Sequence, residues 1–250
     1  MRKLIFIFLA LILLALPLGS VKAQNYSFSL DQEIVHVYWN GDGTASIEYT
    51  FVFTNDSGAS PLDFVDVGVP NSNYDLSSIT GDINGHPITN IEPSPYVSPG
   101  IALALENNAI PAGQSGTVHV VINTVRDVYN ADSTDDSYAS AVFSPTWFDQ
   151  EFVHGSTDLT VVFHLPPDVQ PDEPRWHASP SGWMPQPITG IDEDGRITYA
   201  WHNPDANGYT QYMFGASVPK QYLPEDIIAT PSFWSFLGVA VSNFMSCASF

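Results

Sequence analysis

The chain has 250 residues, 27 acidic side chains against seven basic ones, and one cysteine, Cys247. Setting aside the leader Met1–Ala23 leaves Arg126, Arg175, Arg196 and Lys220 as the basic residues, four against 27, a net charge of −23. That balance excludes nucleic acid as a partner and disfavours anionic lipid headgroups, since both are held through lysine and arginine; a lone cysteine excludes an intrachain disulfide.

The chain opens on a secretory signal pattern. Arg2 and Lys3 form a positive start, Leu4 to Leu16 an apolar stretch, and Val21-Lys22-Ala23 ends on a small residue, so cleavage before Gln24 is expected. The stretch is short for a membrane span, and Pro17 and Gly19 interrupt it. The protein is expected to cross the cytoplasmic membrane and to work at the cell surface, membrane-anchored or secreted.

Strand signals then follow one another with turns between them. Ile34 to Trp39 and Ser46 to Phe53 flank Asn40-Gly41-Asp42-Gly43, whose residues tolerate the positive φ of a tight hairpin. In the second of these, Ile47, Tyr49, Phe51 and Phe53 alternate with Glu48, Thr50 and Val52, which predicts one buried face. Further strands are predicted at Leu62 to Val69, Ile101 to Leu105, Thr117 to Val128, Tyr138 to Phe143, Asp158 to Leu165, Arg196 to His202 and Thr210 to Val218. Pro111 to Gln114 and Asp192 to Gly195 read as turns. Helical periodicity is absent from the body, so βαβ crossovers are not expected, and the aromatic residues, 13% of the chain, suit sheet packing.

The fold class expected is all-β: an antiparallel β-sandwich, immunoglobulin-like in architecture, with additional C-terminal strands. The sandwich should occupy residues 24–166. The proline-rich stretch Pro166 to Pro187 breaks the pattern, and residues 167–222 hold about three strands, too few for a core of their own, so they should pack on the sandwich or complete its second sheet. Residues 232–250 form an uncharged apolar tail. At about 1.5 Å per residue it would make a helix of about 28 Å, against a hydrocarbon thickness of about 30 Å. A cleaved signal would place basic residues after such a span, and residues 232–250 contain none. The expectation is either a transmembrane helix truncated at Phe250 or a tail packed on the body or a partner.

Several features in order resemble the extracytoplasmic domain of a family of predicted bacterial membrane proteins of unknown function. They are the strand-turn-strand around Asp42-Gly43, the Ile83-Asn84-Gly85 turn, the glycine-containing turn before Thr117 to Val125, Arg126-Asp127-Val128-Tyr129, Thr146-Trp147-Phe148 and the strand ending at Leu165-Pro166. The resemblance covers roughly residues 34–166. It implies an outside β-rich domain with a membrane segment after it, and carries no catalytic residues.

Candidate sites are few. Asp132, Asp135 and Asp136 share one loop, Asp149 and Glu151 another, and Asp192, Glu193 and Asp194 a third. Ca²⁺ takes several carboxylate oxygens, and Asp132, Asp135, Asp136, Asp192 and Asp194 are the residues that could supply them, but none has EF-hand spacing and solvated acidic turns are preferred. Asp149 and Glu151 beside Trp147 invite a glycosidase reading, yet adjacent acids in a polar segment show neither the separation nor the burial that two-carboxylate catalysis needs. Trp176 and Trp183 stand in the proline-rich loop without periodicity and are the candidates for ligand stacking, with packing of that loop on the sheet the preferred reading. His36, His119, His164 and His202 sit on predicted strands and His177 in a loop, with no metal-ligand spacing. No nucleophile motif occurs. The expected function is a non-enzymatic surface protein with a binding or structural role, tethered to the membrane through its C-terminal tail, without cofactor, its partner a cell-surface glycan or protein; a carbohydrate-binding module is the alternative and an uncharacterised hydrolase the third.

Overall fold

The computed structural model describes residues 24–228; the leader Met1–Ala23 and the tail Ser232–Phe250 lie outside them. In chain order the strands are β1 (Phe28–Trp39), β2 (Ala45–Asn55), β3 (Phe64–Gly68), β4 (Ile79–Ile83), β5 (His86–Pro87), β6 (Asn90–Pro93), β7 (Gly100–Ala104), β8 (Ser115–Val125), β9 (Tyr129–Ala131), β10 (Tyr138–Phe143), β11 (Val153–His154), β12 (Thr157–His164), β13 (Arg175–Trp176), β14 (Ile188–Ile191), β15 (Ile197–Ala206) and β16 (Phe214–Pro219). Helical structure among the described residues is confined to short 3₁₀ turns, and no helix there is long and apolar enough to cross a membrane.

The hairpin β1–β2 shows how the sequence builds the centre. Gly43 takes φ +85°, which only glycine adopts without cost, and lets the Asn40 N–H reach the Thr44 carbonyl at 2.9 Å. Beyond the turn every second residue of β2 is buried. Tyr49, Phe51 and Phe53 stack in succession at 4.9 and 5.7 Å, each burial stabilising by about 1.5–3 kcal/mol relative to exposure.

Nine strands form one sheet, in the order β14-β15-β12-β1-β2-β8-β4-β5 with β11 alongside β1; β13-β16-β10-β9 form a second, and β3-β7-β6 a third. The large sheet covers the second through contacts such as Tyr49–Phe143 and Trp201–Phe214, at 6.3 and 5.1 Å between ring centroids. Side chains of all three sheets join one buried core. The fold is thus mostly β, but the expectation of a purely antiparallel arrangement is corrected: β1 pairs β12, and β11, in parallel. The reason is connectivity. The chain passes through β2 to β10 between these neighbours and returns to β1 from the same end, which a hairpin cannot do.

Residues 167–222 supply strands to both larger sheets, β15 lying between β14 and β12, and β16 between β13 and β10. Residues 24–166 and 167–222 therefore share both sheets and one core.

Candidate functional site

Strands β13 and β14 are the outer strands of two different sheets, and a groove runs between them. It measures about 660 Å³ and is lined by Pro171, Asp172, Pro174, Arg175, Trp176, Thr189, Gly190, Ile191, Ile197 and Tyr199. Its floor is the rim of the core. Ile197 and Tyr199 are buried, and the Tyr199 hydroxyl donates to the Pro174 carbonyl at 2.9 Å, which ties the proline loop to β15. Trp176, 39% exposed, meets Tyr199 edge-on at 5.8 Å and forms one wall. Ile191, 69% exposed, forms the other. The charged groups are one acid and one base, and the base is engaged elsewhere: Arg175 pairs with Asp135 at 3.0 Å and lies 3.7 Å above the Tyr138 ring.

A second feature crosses the outward face of the large sheet. His119 on β8 stands 3.3 Å from Asp82 on β4 and 2.9 Å from Glu48 on β2. Glu48 is the cross-strand partner of His36. His36 Nδ1 lies 2.9 Å from His164 Nε2, and His164 Nδ1 lies 2.7 Å from Asp192 Oδ2. Because the Asp192 carboxylate can only accept, His164 carries its proton on Nδ1, and its Nε2 accepts from His36. Burial would raise the Asp192 carboxyl, but the hydrogen bonds from His164 and from the Arg196 backbone N–H outweigh it and hold the group below its usual range. Tyr38 stacks on His164 at 4.1 Å.

A third group is hidden. Glu33 is 1% exposed, with Oε1 lacking any hydrogen-bond partner, as does the Tyr49 hydroxyl. Loss of water holds its carboxyl well above the usual range, with partial relief from the Thr146 backbone. A register shift between Leu30 and Gln32 puts it there, since a bulge turns two nearby residues to the same side of a strand.

The residues expected to form sites fall out as follows. Trp176 stands in the groove. Trp183 does not: it is 8% exposed, edge-on to Tyr212 and Phe214 at 5.1 and 4.9 Å, so its ring cannot stack on a ligand, and the reading of it as a binding residue is corrected. Asp132 accepts from Thr134 and from the Asp135 N–H with one oxygen and from Ser217 with the other. Asp135 caps Ser137 and pairs with Arg175. Asp136 and Asp194 are exposed. Asp192 closes its own turn through the N–H groups of Asp194 and Arg196. Among the described residues no group of three or more His, Cys, Asp or Glu side chains is placed to hold a metal ion. Asp149 accepts from the Glu151 N–H at 2.8 Å within one turn.

Sequence reasoning passed over Ile188 to Ile191. The available signal was the Asp192–Gly195 turn, which opens a strand at Ile197 and therefore asks for a partner strand before it.

No family model matches the chain, and no curated protein does. Among solved structures it is similar to an M1 zinc metallopeptidase from Deinococcus radiodurans, at 11% identity and TM-score 0.46 over 78% of this chain and 43% of that one. It is also similar to an aminopeptidase A from Legionella pneumophila, at 7% identity and TM-score 0.43 over 79% and 22%, and to a Legionella pneumophila protein described as nutrient-binding, at 11% and 0.46 over 77% and 68%. The chain spans less than half the length of either peptidase.

Proposed function

We propose that this is an exported, membrane-tethered surface protein of immunoglobulin-like sandwich architecture, related to the extracytoplasmic domains it resembles, whose role is to bind rather than to catalyse. The observation that carries the binding reading is the groove between β13 and β14: an apolar cleft at the rim of the core with an exposed tryptophan, the usual make-up of a ligand site. With Arg175 committed to Asp135, its walls are suited to holding a ligand by shape and apolar contact. The export signal Met1–Ala23 and the uncharged run Ser232–Phe250 support the surface location and the tether.

A second reading, carbohydrate binding, is supported by Trp176 alone. Sugars ask for several hydrogen-bonding side chains beside the aromatic ring, and here only Asp172 and Thr189 are free to serve.

Two measurements test the proposal. In intact bacteria expressing the full chain, the protein should sediment with membranes and its body should be cut by protease added outside; recovery in the cytosol would remove the surface reading. A glycan array and a library of displayed linear peptides, probed in parallel, should yield saturable binding in one of them that Trp176→Ala weakens. Silence in both would remove the binding reading.

A further inference from the structure

We infer that the groove's occupant is an extended polypeptide segment that adds to β14 as a new strand, with apolar residues at alternate positions and basic residues at its flanks. The inference rests on the binding reading above and names the ligand class.

The first argument is the edge itself. Sheet edges are normally blunted by charge, proline or cover, because their unpaired N–H and C=O groups are templates for another strand. Strand β14, Ile188-Thr189-Gly190-Ile191, carries no charge and no proline, and Ile188 and Ile191 are 61% and 69% exposed. Its one sheet neighbour is β15.

The second is register. The Asp192 backbone N–H donates to the Arg196 carbonyl at 2.9 Å, and bonded pairs alternate along an antiparallel ladder. Gly190 therefore bonds with Thr198, while the N–H and C=O groups of Thr189 and Ile191 face away from β15, toward the free edge. Both residues line the groove. A strand hydrogen-bonded to them would drop every second side chain onto Ile197, Tyr199 and Trp176, which is how strand addition combines main-chain affinity with side-chain selection.

The third is charge. Asp172 lines the groove, Glu193 and Asp194 stand exposed at the turn that ends β14, and the one cation of the groove wall is neutralised by Asp135. Basic flanks on the occupant complement this rim, and weaken in high salt.

The experiment uses the full chain and a display library of random linear peptides. Enriched peptides should show apolar residues at every second position and lysine or arginine at the ends. N-methylation of a selected peptide at the backbone positions facing β14 should weaken binding by about tenfold or more, while methylation at the intervening positions should not. Ile191→Pro removes an outward N–H without touching the ladder to β15, a substitution edge strands tolerate, and should reproduce that loss; Ile191→Ala, which keeps the N–H, should cost less. The methylated peptides keep the test valid if a variant fails to fold. Peptides that bind equally when methylated, or a library that enriches nothing, overturn strand addition, and binding confined to the glycan array does so while leaving the binding reading standing. A dimer of the chain that Ile191→Pro dissociates would replace the peptide by a second copy and overturn the inference as stated.

Discussion

The imidazoles of His36 and His164 meet head-on, Nδ1 to Nε2 at 2.9 Å, on two parallel strands of the large sheet. The arrangement holds one proton between two rings, and a second proton would set two N–H donors facing each other. Asp192 lies behind His164, Tyr38 stacks on it, Glu48 stands beside His36, and the Arg196 guanidinium lies 6.0 Å from the Tyr38 ring.

The histidines should therefore contribute stability that acid removes in a defined window. Burial and the neighbouring His164 ring lower the affinity of His36 for a proton, against a smaller pull from Glu48, and burial does the same at His177. In that situation the unfolded chain binds more protons than the folded one between the ordinary histidine value of about 6.5 and the depressed folded value, so stability rises with pH across the window. It is fully present above about pH 6.5 and falls as the pH drops below it. Because Glu33 pulls the other way over the same range, the histidine contribution is read as the midpoint of wild type minus that of His36→Gln: in melts from about pH 7.5 to 5 this difference should fall as the pH falls. A difference that stays level over this range would refute the expectation.

Glu33 should work in the opposite direction. Its folded carboxyl keeps a proton at pH values where the unfolded chain has lost it, so stability falls as pH rises above the ordinary glutamate range, at about 1.4 kcal/mol per pH unit while the folded group stays neutral. Glu33→Met fills similar volume without polar atoms, and replacing buried polar groups in this way is often stabilising. The variant should melt higher than wild type, with the gap wider at pH 8 than at pH 5. A lower midpoint at pH 8 would mean that the carboxyl has a partner the geometry does not show.

The hairpin turn offers a comparison between two glycines. Gly43 and Gly85 have nearly the same backbone, φ +85° and +80°, so alanine at either should cost about 1 kcal/mol through the left-handed conformation. They differ in surroundings. A Cβ at Gly43 would collide with Ile227 Cδ1, whereas nothing lies within 4 Å at Gly85. Gly43→Ala should therefore be the worse by roughly a further 1 kcal/mol, and Ile227→Ala should recover part of the difference in a double-mutant cycle. Equal losses in urea unfolding would place Ile227 elsewhere.

How far the sequence could be read depended on whether a signal was local. The alternation of Ile47, Tyr49, Phe51 and Phe53 and the glycines of the turn are local, and β2 and its hairpin are found where they indicate. Strand β1 was legible only from Ile34, because Asp31, Gln32 and Glu33 break the alternation; the bulge after Leu30 restores it and turns Glu33 inward. Parallel pairing of β1 with β12 leaves no trace in either strand, since it depends on the route of everything between them, and with it went the meeting of His36 and His164. The edge strand β14 was passed over because both its isoleucines are exposed, so it lacks the half-buried pattern by which strands are recognised. Of the two loop tryptophans, the sequence could not say which was outside, since the residues that bury Trp183, Tyr212 and Phe214, come from the start of β16 and the segment just before it, some thirty positions on.

Those two tryptophans separate packing from binding. Trp183 is edge-on to two aromatic rings and nearly inaccessible, so Trp183→Ala should leave a cavity and cost about 3–5 kcal/mol, the usual range for deleting a buried aromatic side chain. Trp176 makes one aromatic contact and is 39% exposed, so Trp176→Ala should cost about 1 kcal/mol or less and leave the unfolding slope unchanged. The ligand-binding assay should rank them the other way: Trp176→Ala should lose affinity in a protein that is still folded, while Trp183→Ala at a temperature where it remains folded should bind nearly as wild type. A Trp183→Ala protein as stable as Trp176→Ala would mean that the proline loop does not seat its tryptophan on β16. A Trp176→Ala protein that binds at full strength would move the site away from the groove altogether.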